Sequence, residues 1–278
     1  MIIDGKAIAE DVYGELSARI SDISDTGKKL VLGIVVASHD PVIESFVRIK
    51  SRVAMRLGVE LRRIDLLNEP TTADALAAIE KLAPNVAGII VQLPLPEALD
   101  TEAILAAIPP YLDVDGINPA VADTDRAVRA PVAEAIAEIL RRSTVDPRDK
   151  KCVVVGAGRL VGAPAAYLLE SLGGRVTTVT LQEGSLSELA DADIIVLGAG
   201  NPGFVKPEML RDGIVLIDAG TSDLPAQAGS RAKIVGDADP TCAPKCSVFT
   251  PVPGGVGPIA VAMIFKNLLV LAKEYQIL

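Results

Sequence analysis

The strongest constraint on this chain is an alternation of short, wholly apolar runs with segments of helical spacing. KLVLGIVVA (29–37) is a continuous apolar run after Lys29, the pattern of a strand covered on both faces. PVIESFVRIKSRVAMRLG (41–58) follows as a helix opened by Pro41 and closed by Gly58. VELRRIDL (59–66) reads as a strand and TTADALAAIEKLA (71–83) as a helix capped by its threonine. VAGIIVQLPLP (86–96) is a strand that leaves into prolines, and DTEAILAAIPP (100–110) is a helix stopped by two of them. An amphipathic helix over residues 5–24 precedes this series. Strand and helix in turn predict parallel strands joined by crossover helices. A second series begins with a helix over 132–143, a strand over 150–158 and a helix over 159–174. Strands follow over 175–181, 192–200, 213–220 and 233–239, then a closing helix from about Pro258 to Tyr275.

Composition removes several classes of function. Half of the 278 residues are hydrophobic and only 3% aromatic, so Ala, Val, Ile and Leu must build the core. The net charge of −9 argues against nucleic acid and anionic membranes as partners. No signal peptide and no membrane-spanning segment are read. Cys152, Cys242 and Cys246 are odd in number and make no disulfide framework, which points to a reduced, cytoplasmic setting. Two thiols in TCAPKC and the single His39 make a poor zinc site, so no metal is expected.

VVVGAGRLVG places Gly156, Gly158 and Gly162 between a buried strand and a helix. Bare backbone there lets a pyrophosphate approach the helix N-terminus, with its free N–H groups and positive dipole. The spacing is one residue longer than the usual fingerprint, but the strand and helix context is the required one. The cofactor site is read as Gly156, Ala157, Gly158, Arg159, Gly162, Leu181 and Thr221. Glu183, after the next strand, is either a ribose acid or a solvated loop residue. The expected fold is therefore α/β with two domains. Residues 121–252 form a Rossmann-like dinucleotide-binding domain. Residues 1–120 and 253–278 form the other, with the C-terminal helix returning to it.

Few polar residues occupy special places in the first domain. Lys50 lies one helical turn after Phe46, so both face one side. Gln92 sits where its strand leaves the sheet, and Asp115 lies in YLDVDGINP at the joint between the domains. Open α/β sheets bind ligands beyond the carboxyl ends of their strands, where Gln92 and Asp115 fall.

DPVIESFVRIK, GIIVQLPLP, DVDGINP, VVVGAGRLVGAP, GDAD and TPVPGGVGP stand in that order. Together they resemble the methylenetetrahydrofolate dehydrogenase/methenyltetrahydrofolate cyclohydrolase family, the bifunctional FolD type, over essentially the whole chain. VQLPLP and TPVPGGVGP are its specific motifs. The resemblance implies oxidation of 5,10-methylenetetrahydrofolate and hydrolysis of the methenyl product to 10-formyltetrahydrofolate, within one-carbon metabolism. It implies Lys50 as the central catalytic residue, with Gln92 adjusting its protonation. Asp115 would hold the pterin edge, and Phe46 would offer a stacking surface. Pro253, Gly254 and Gly255 would lie flat against the folate ring. It further implies NADP as cofactor and a homodimer paired through the nucleotide domain.

The chain departs from the family at several of these places. Phe46 replaces the motif tyrosine, and Gly158 replaces a serine of the glycine loop. Thr180 and Leu181 replace a His-Ser pair that meets the extra phosphate of NADP, so NAD stands as a second reading. Ile43 and Ala260 replace a serine and a threonine. A monofunctional dehydrogenase or cyclohydrolase, or a non-catalytic folate-binding protein, are the alternatives these changes leave.

Overall fold

The computed structural model describes residues 1–38, 40–66, 69–180, 183–224 and 233–277. His39, Leu181 and Gln182 lie outside the described residues. In chain order the elements are α1 (Gly5–Ser24), β1 (Val31–Val36), α2 (Pro41–Leu57), β2 (Glu60–Asp65), α3 (Thr72–Leu82), β3 (Gly88–Val91) and α4 (Thr101–Ala106). Then come α5 (Pro131–Arg142), β4 (Lys151–Val155), α6 (Gly162–Ser171), β5 (Arg175–Val179), β6 (Ile194–Leu197) and β7 (Ile214–Asp218). The last are β8 (Ser222–Leu224), β9 (Lys233–Val235), β10 (Cys246–Phe249) and α7 (Val256–Glu274). The chain forms two compact units. One is Glu10–Pro131 with Val261–Leu278; the other is Met1–Ala9 with Val132–Ala260.

In the first unit the sheet order is β2-β1-β3, all parallel. Every residue of β1 and β3 is buried, which is why both read as continuous apolar runs. The Asp40 side chain accepts from the Val42 N–H at the start of α2, and Gly58 ends that helix in the left-handed conformation at φ 73°. Thr71 and Asp74 close a reciprocal capping box on α3. From Val261 onward α7 is packed into this unit. Buried Asn267 donates from Nδ2 to the carbonyls of Val114 (2.9 Å) and Arg129 (2.8 Å). By length and composition α7 could cross a membrane, contrary to the expectation that no segment could. Its apolar residues, among them Phe265, Leu268 and Leu271, instead fill the core.

The second unit holds a five-stranded parallel sheet in the order β10-β7-β6-β4-β5. Counted within itself this is 2-1-3-4-5, the doubly wound order whose ligand crevice lies between its first and third strands. The first unit opens the same way, as 2-1-3. Each unit therefore has a crevice beside its first strand.

Several elements differ from the sequence expectation. α4 ends at Ala106, since the two prolines that follow cannot continue it and a short 3-10 turn takes over. α6 starts at Gly162 rather than Arg159, because residues 159–161 form the turn that brings the chain onto the helix. Segment 233–239 contributes β9, which pairs antiparallel with β8 in a separate ribbon. The fifth strand, β10, is only four residues long and was not anticipated. α7 starts two residues before Pro258, which still lies in the first turn, where a missing N–H leaves no helical bond unmade.

The bare loop before α7 has its explanation within its own unit. Gly254 is left-handed at φ 108°, and its carbonyl accepts the Gly5 N–H at 2.9 Å. A Cβ on Gly5 would stand 1.8 Å from the Gly255 carbonyl oxygen, and one on Gly255 would stand 2.7 Å from that of Pro251. Backbone rests on backbone at Gly5 and Gly255, so no side chain fits there, while at Gly254 it is the left-handed φ that favours glycine.

Candidate active site

Lys50 reaches out of α2, the helix that follows β1. Gln92 is the first residue beyond β3, and its N–H continues the ladder to the Val35 carbonyl at 2.9 Å. Both side chains therefore arise at the crevice between β1 and β3. Lys50 Nζ donates to Gln92 Oε1 at 2.7 Å. Gln92 Nε2 donates to the Leu93 carbonyl, also at 2.7 Å. That second bond fixes the amide so that its oxygen, never its NH2, faces the lysine.

Asp115 is brought to the same end by its neighbours. Asp113 bridges in parallel to Ile89 of β3, so the next residues emerge beside Gln92. Buried Asp113 then holds the turn: its Oδ2 accepts from the Ile117 and Asn118 N–H groups, both at 2.8 Å. Burial pushes the Asp113 carboxyl up, against the pull of those bonds and of Arg126.

The lysine and Asp115 are electrostatically linked. Desolvation lowers the Lys50 ammonium from its ordinary value, and the Asp115 charge opposes that shift. Desolvation pushes Asp115 up to about 7, with Lys50 pulling it down and Asp113 pushing it further up. Two groups whose pKa values converge toward neutrality can pass one proton between them and a substrate. Phe46, one turn before Lys50 on α2, is 41% exposed, so its ring is open to a ligand.

A stability consequence follows from Asp115. Its carboxyl has a pKa of 3.8 when unfolded and about 7 when folded. Between those values the folded chain keeps a proton that the unfolded chain has released, so this group makes stability fall as pH rises from about 4 to about 7. The gap sets a ceiling of about 4 kcal/mol, and partial solvation reduces the expected effect to about 1–2 kcal/mol. Urea unfolding of Asp115→Asn should show that variant gaining by this amount on wild type at pH 8 relative to pH 4.5. An equal difference at both pH values would contradict the burial of an unwanted charge.

The glycine loop occupies the crevice of the other unit. Gly156 is left-handed at φ 102°, and a Cβ on it would meet the Gly198 carbonyl oxygen at 2.5 Å. A Cβ on Gly162 would meet the Gly156 oxygen at 2.0 Å. These two glycines let β4, β6 and the start of α6 converge. Gly158 is different: its Cβ position has nothing within 4 Å. Ala157 and Gly158 are exposed, and Arg159 is half-buried. The loop thus fits a dinucleotide, with open backbone beside the N-terminus of α6. Thr221 is exposed just beyond β7. Glu183 is exposed and tied to Thr180, with the Thr180 N–H donating to the Glu183 carbonyl (2.8 Å) and the Glu183 N–H to Thr180 Oγ1 (2.9 Å). Pro253, Gly254 and Gly255 belong to this unit, while Lys50, Gln92, Asp115 and Phe46 belong to the other.

Two buried acids of this unit escaped sequence reasoning as site residues, Asp218 in LIDAG and Asp237 in GDAD. The available signal was an acid at or just past the carboxyl end of an apolar strand.

Comparison with known proteins accords with this geometry. The family model described as tetrahydrofolate dehydrogenase/cyclohydrolase, catalytic domain, matches residues 3–115. The corresponding NAD(P)-binding domain matches residues 130–276. The chain is 37% identical over 286 residues to bifunctional protein FolD of Halothermothrix orenii, covering 99% of this chain and 98% of that protein. Its structure is similar to that of the bifunctional FolD enzyme of Campylobacter jejuni, with a TM-score of 0.92, 29% identity and 99% of both chains covered. It is also similar to FolD of Trypanosoma brucei, solved in complex with NADP cofactor and inhibitor, with a TM-score of 0.93, 30% identity, and 99% and 98% of the two chains covered. With both domains matched in order along nearly its whole length, the chain belongs to the tetrahydrofolate dehydrogenase/cyclohydrolase family.

Proposed function

We propose that this chain oxidises 5,10-methylenetetrahydrofolate to 5,10-methenyltetrahydrofolate with NADP, and hydrolyses that product to 10-formyltetrahydrofolate. The observation that carries the reading is the Lys50–Gln92 hydrogen bond beside Asp115, in a chain with both domains of the family. Bound NADP supplies the hydride acceptor. The glycine loop would hold its phosphates through open backbone at Gly158 and the N-terminus of α6, with Arg159 and Thr221 at its edges.

Hydrolysis is the step that needs a base. Water adds to the positively charged one-carbon bridge, and a proton must leave as the carbon–oxygen bond forms. Lys50, desolvated, spends part of its time as a neutral amine. Gln92 can only accept from it, so one N–H is spent on the glutamine and the nitrogen lone pair stays free for the water. Asp115, held as acid or carboxylate near neutral pH, can meet both donors and acceptors of the pterin edge. The Lys50 contact to Gln92 is made without a hydroxyl at position 46, which favours the bifunctional reading over a monofunctional one. A homodimer in a reduced, cytoplasmic setting belongs to the same proposal. The β5 edge of the five-stranded sheet, open among the described residues, and three free thiols support it.

The test is to follow the methenyl absorbance with methylenetetrahydrofolate plus NADP or NAD in parallel, and with methenyltetrahydrofolate alone. The reading expects oxidation, faster with NADP, and accelerated hydrolysis. Oxidation without hydrolysis would make the chain a dehydrogenase only, and inactivity throughout would leave a folate-binding protein.

A further inference from the structure

Asp237 is fully buried, and nothing in the reaction above uses it. Three consecutive backbone N–H groups converge on its carboxylate. Oδ2 accepts from Ala199 (2.7 Å) and Gly200 (3.1 Å), and Oδ1 accepts from Asn201 (2.7 Å). Such a converging set of amides is an anion-holding arrangement, here filled by the chain's own side chain. Gly200 is left-handed at φ 67° within that set.

The loop so held begins directly after β6, and it borders the glycine loop. A Cβ on Gly198 would stand 2.3 Å from Val161 Cγ1, and the Gly198 carbonyl is what blocks a Cβ on Gly156. Residues 198–201 are therefore one wall of the crevice between β4 and β6, where a doubly wound sheet takes its ligand. The segment just past β7 also rests on this carboxylate, since a Cβ on Gly220 would stand 2.2 Å from Asp237 Cγ. Asp218 lies alongside, accepting from the Gly220 (2.9 Å) and Ala238 (2.8 Å) N–H groups. Its carboxyl is pushed up to about 7, first by burial and further by the Asp237 charge.

We infer that Asp237 is a positioning residue for the dinucleotide: by fixing the 199–201 loop against the glycine loop, it sets the affinity for NADP and leaves folate hydrolysis alone. The inference rests on the functional reading above, and the two activities make it separable from mere folding. Hydrolysis of methenyltetrahydrofolate needs no NADP, so it reports an intact chain independently.

Two variants of the full chain reach the carboxylate by different routes. Asp237→Asn keeps the shape but replaces one accepting oxygen by a donor that faces other donors. Gly220→Ala keeps the acid and displaces it with a methyl group. In both, the KM for NADP and the dissociation constant from direct NADPH titration should rise about 10- to 100-fold, the loss of one or two charge-assisted hydrogen bonds. Hydrolysis and kcat at saturating NADP should stay within about threefold of wild type. Unchanged NADP affinity in both variants overturns the inference. Loss of oxidation and hydrolysis together also overturns it, because Asp237 would then support the fold and not the cofactor. A wild-type chain that fails to reduce NADP would sink the functional reading itself, before any variant is compared.

Discussion

Lys50→Met is expected to lower the enzyme-catalysed hydrolysis of methenyltetrahydrofolate by about 10²- to 10⁴-fold, the usual contribution of a positioned base. Methionine suits the site sterically, being unbranched and at home in a desolvated place. The protein should therefore fold as wild type does, and the loss should be chemical. The oxidation should suffer less, because a departing hydride carries no proton that the amine must take. Product assays of both steps on one preparation give the split. Full retention of hydrolysis would remove Lys50 from the mechanism. Loss of both steps with a lowered unfolding temperature would make the lysine structural.

Gly162→Ala should destabilise the glycine-loop unit by more than about 3 kcal/mol, at the upper end of single substitutions. The added methyl would lie 2.0 Å from the Gly156 oxygen and 2.6 Å from its carbonyl carbon, and both are backbone atoms that cannot swing aside. Gly156 cannot retreat, because it is pressed against Gly198 in turn. Gly158→Ala, one turn away, meets nothing and should change stability by less than about 0.5 kcal/mol. Its cost should fall on NADP binding, since the methyl occupies the open face. Thermal unfolding and NADP titration of the two variants separate these roles. Equal unfolding temperatures would show that the three backbones do not meet as described.

The alternation of apolar runs and helical segments made the α/β architecture legible, because buried parallel strands and capped helices leave direct marks. Asp40, Thr71 and Gly58 act as helix-end signals for the reasons their residue types suggest. What local pattern could not show was pairing across distance. Lys50 and Gln92 are 42 residues apart, and only family resemblance put them together before the sheet order β2-β1-β3 explained it. Gly254 and Gly255 read as a ligand surface, and the structure adds local reasons for their glycines: the left-handed φ of Gly254, and Pro251 and Thr250 crowding any Cβ on Gly255. Asp237 was read only as part of the segment 233–239, because its burial and its three N–H partners are set by tertiary structure. β10 was missed because CSVF is too short for periodicity to speak.

The most direct test of the central claim is the pH profile of methenyltetrahydrofolate hydrolysis, corrected for the spontaneous reaction, in wild type and in Lys50→Met. A desolvated Lys50 acting as base predicts a rate that rises with pH and levels off below the ordinary lysine value. The variant should show only a small residual rate without that limb. A limb that survives in Lys50→Met, or one that appears only near the ordinary lysine value, would contradict it.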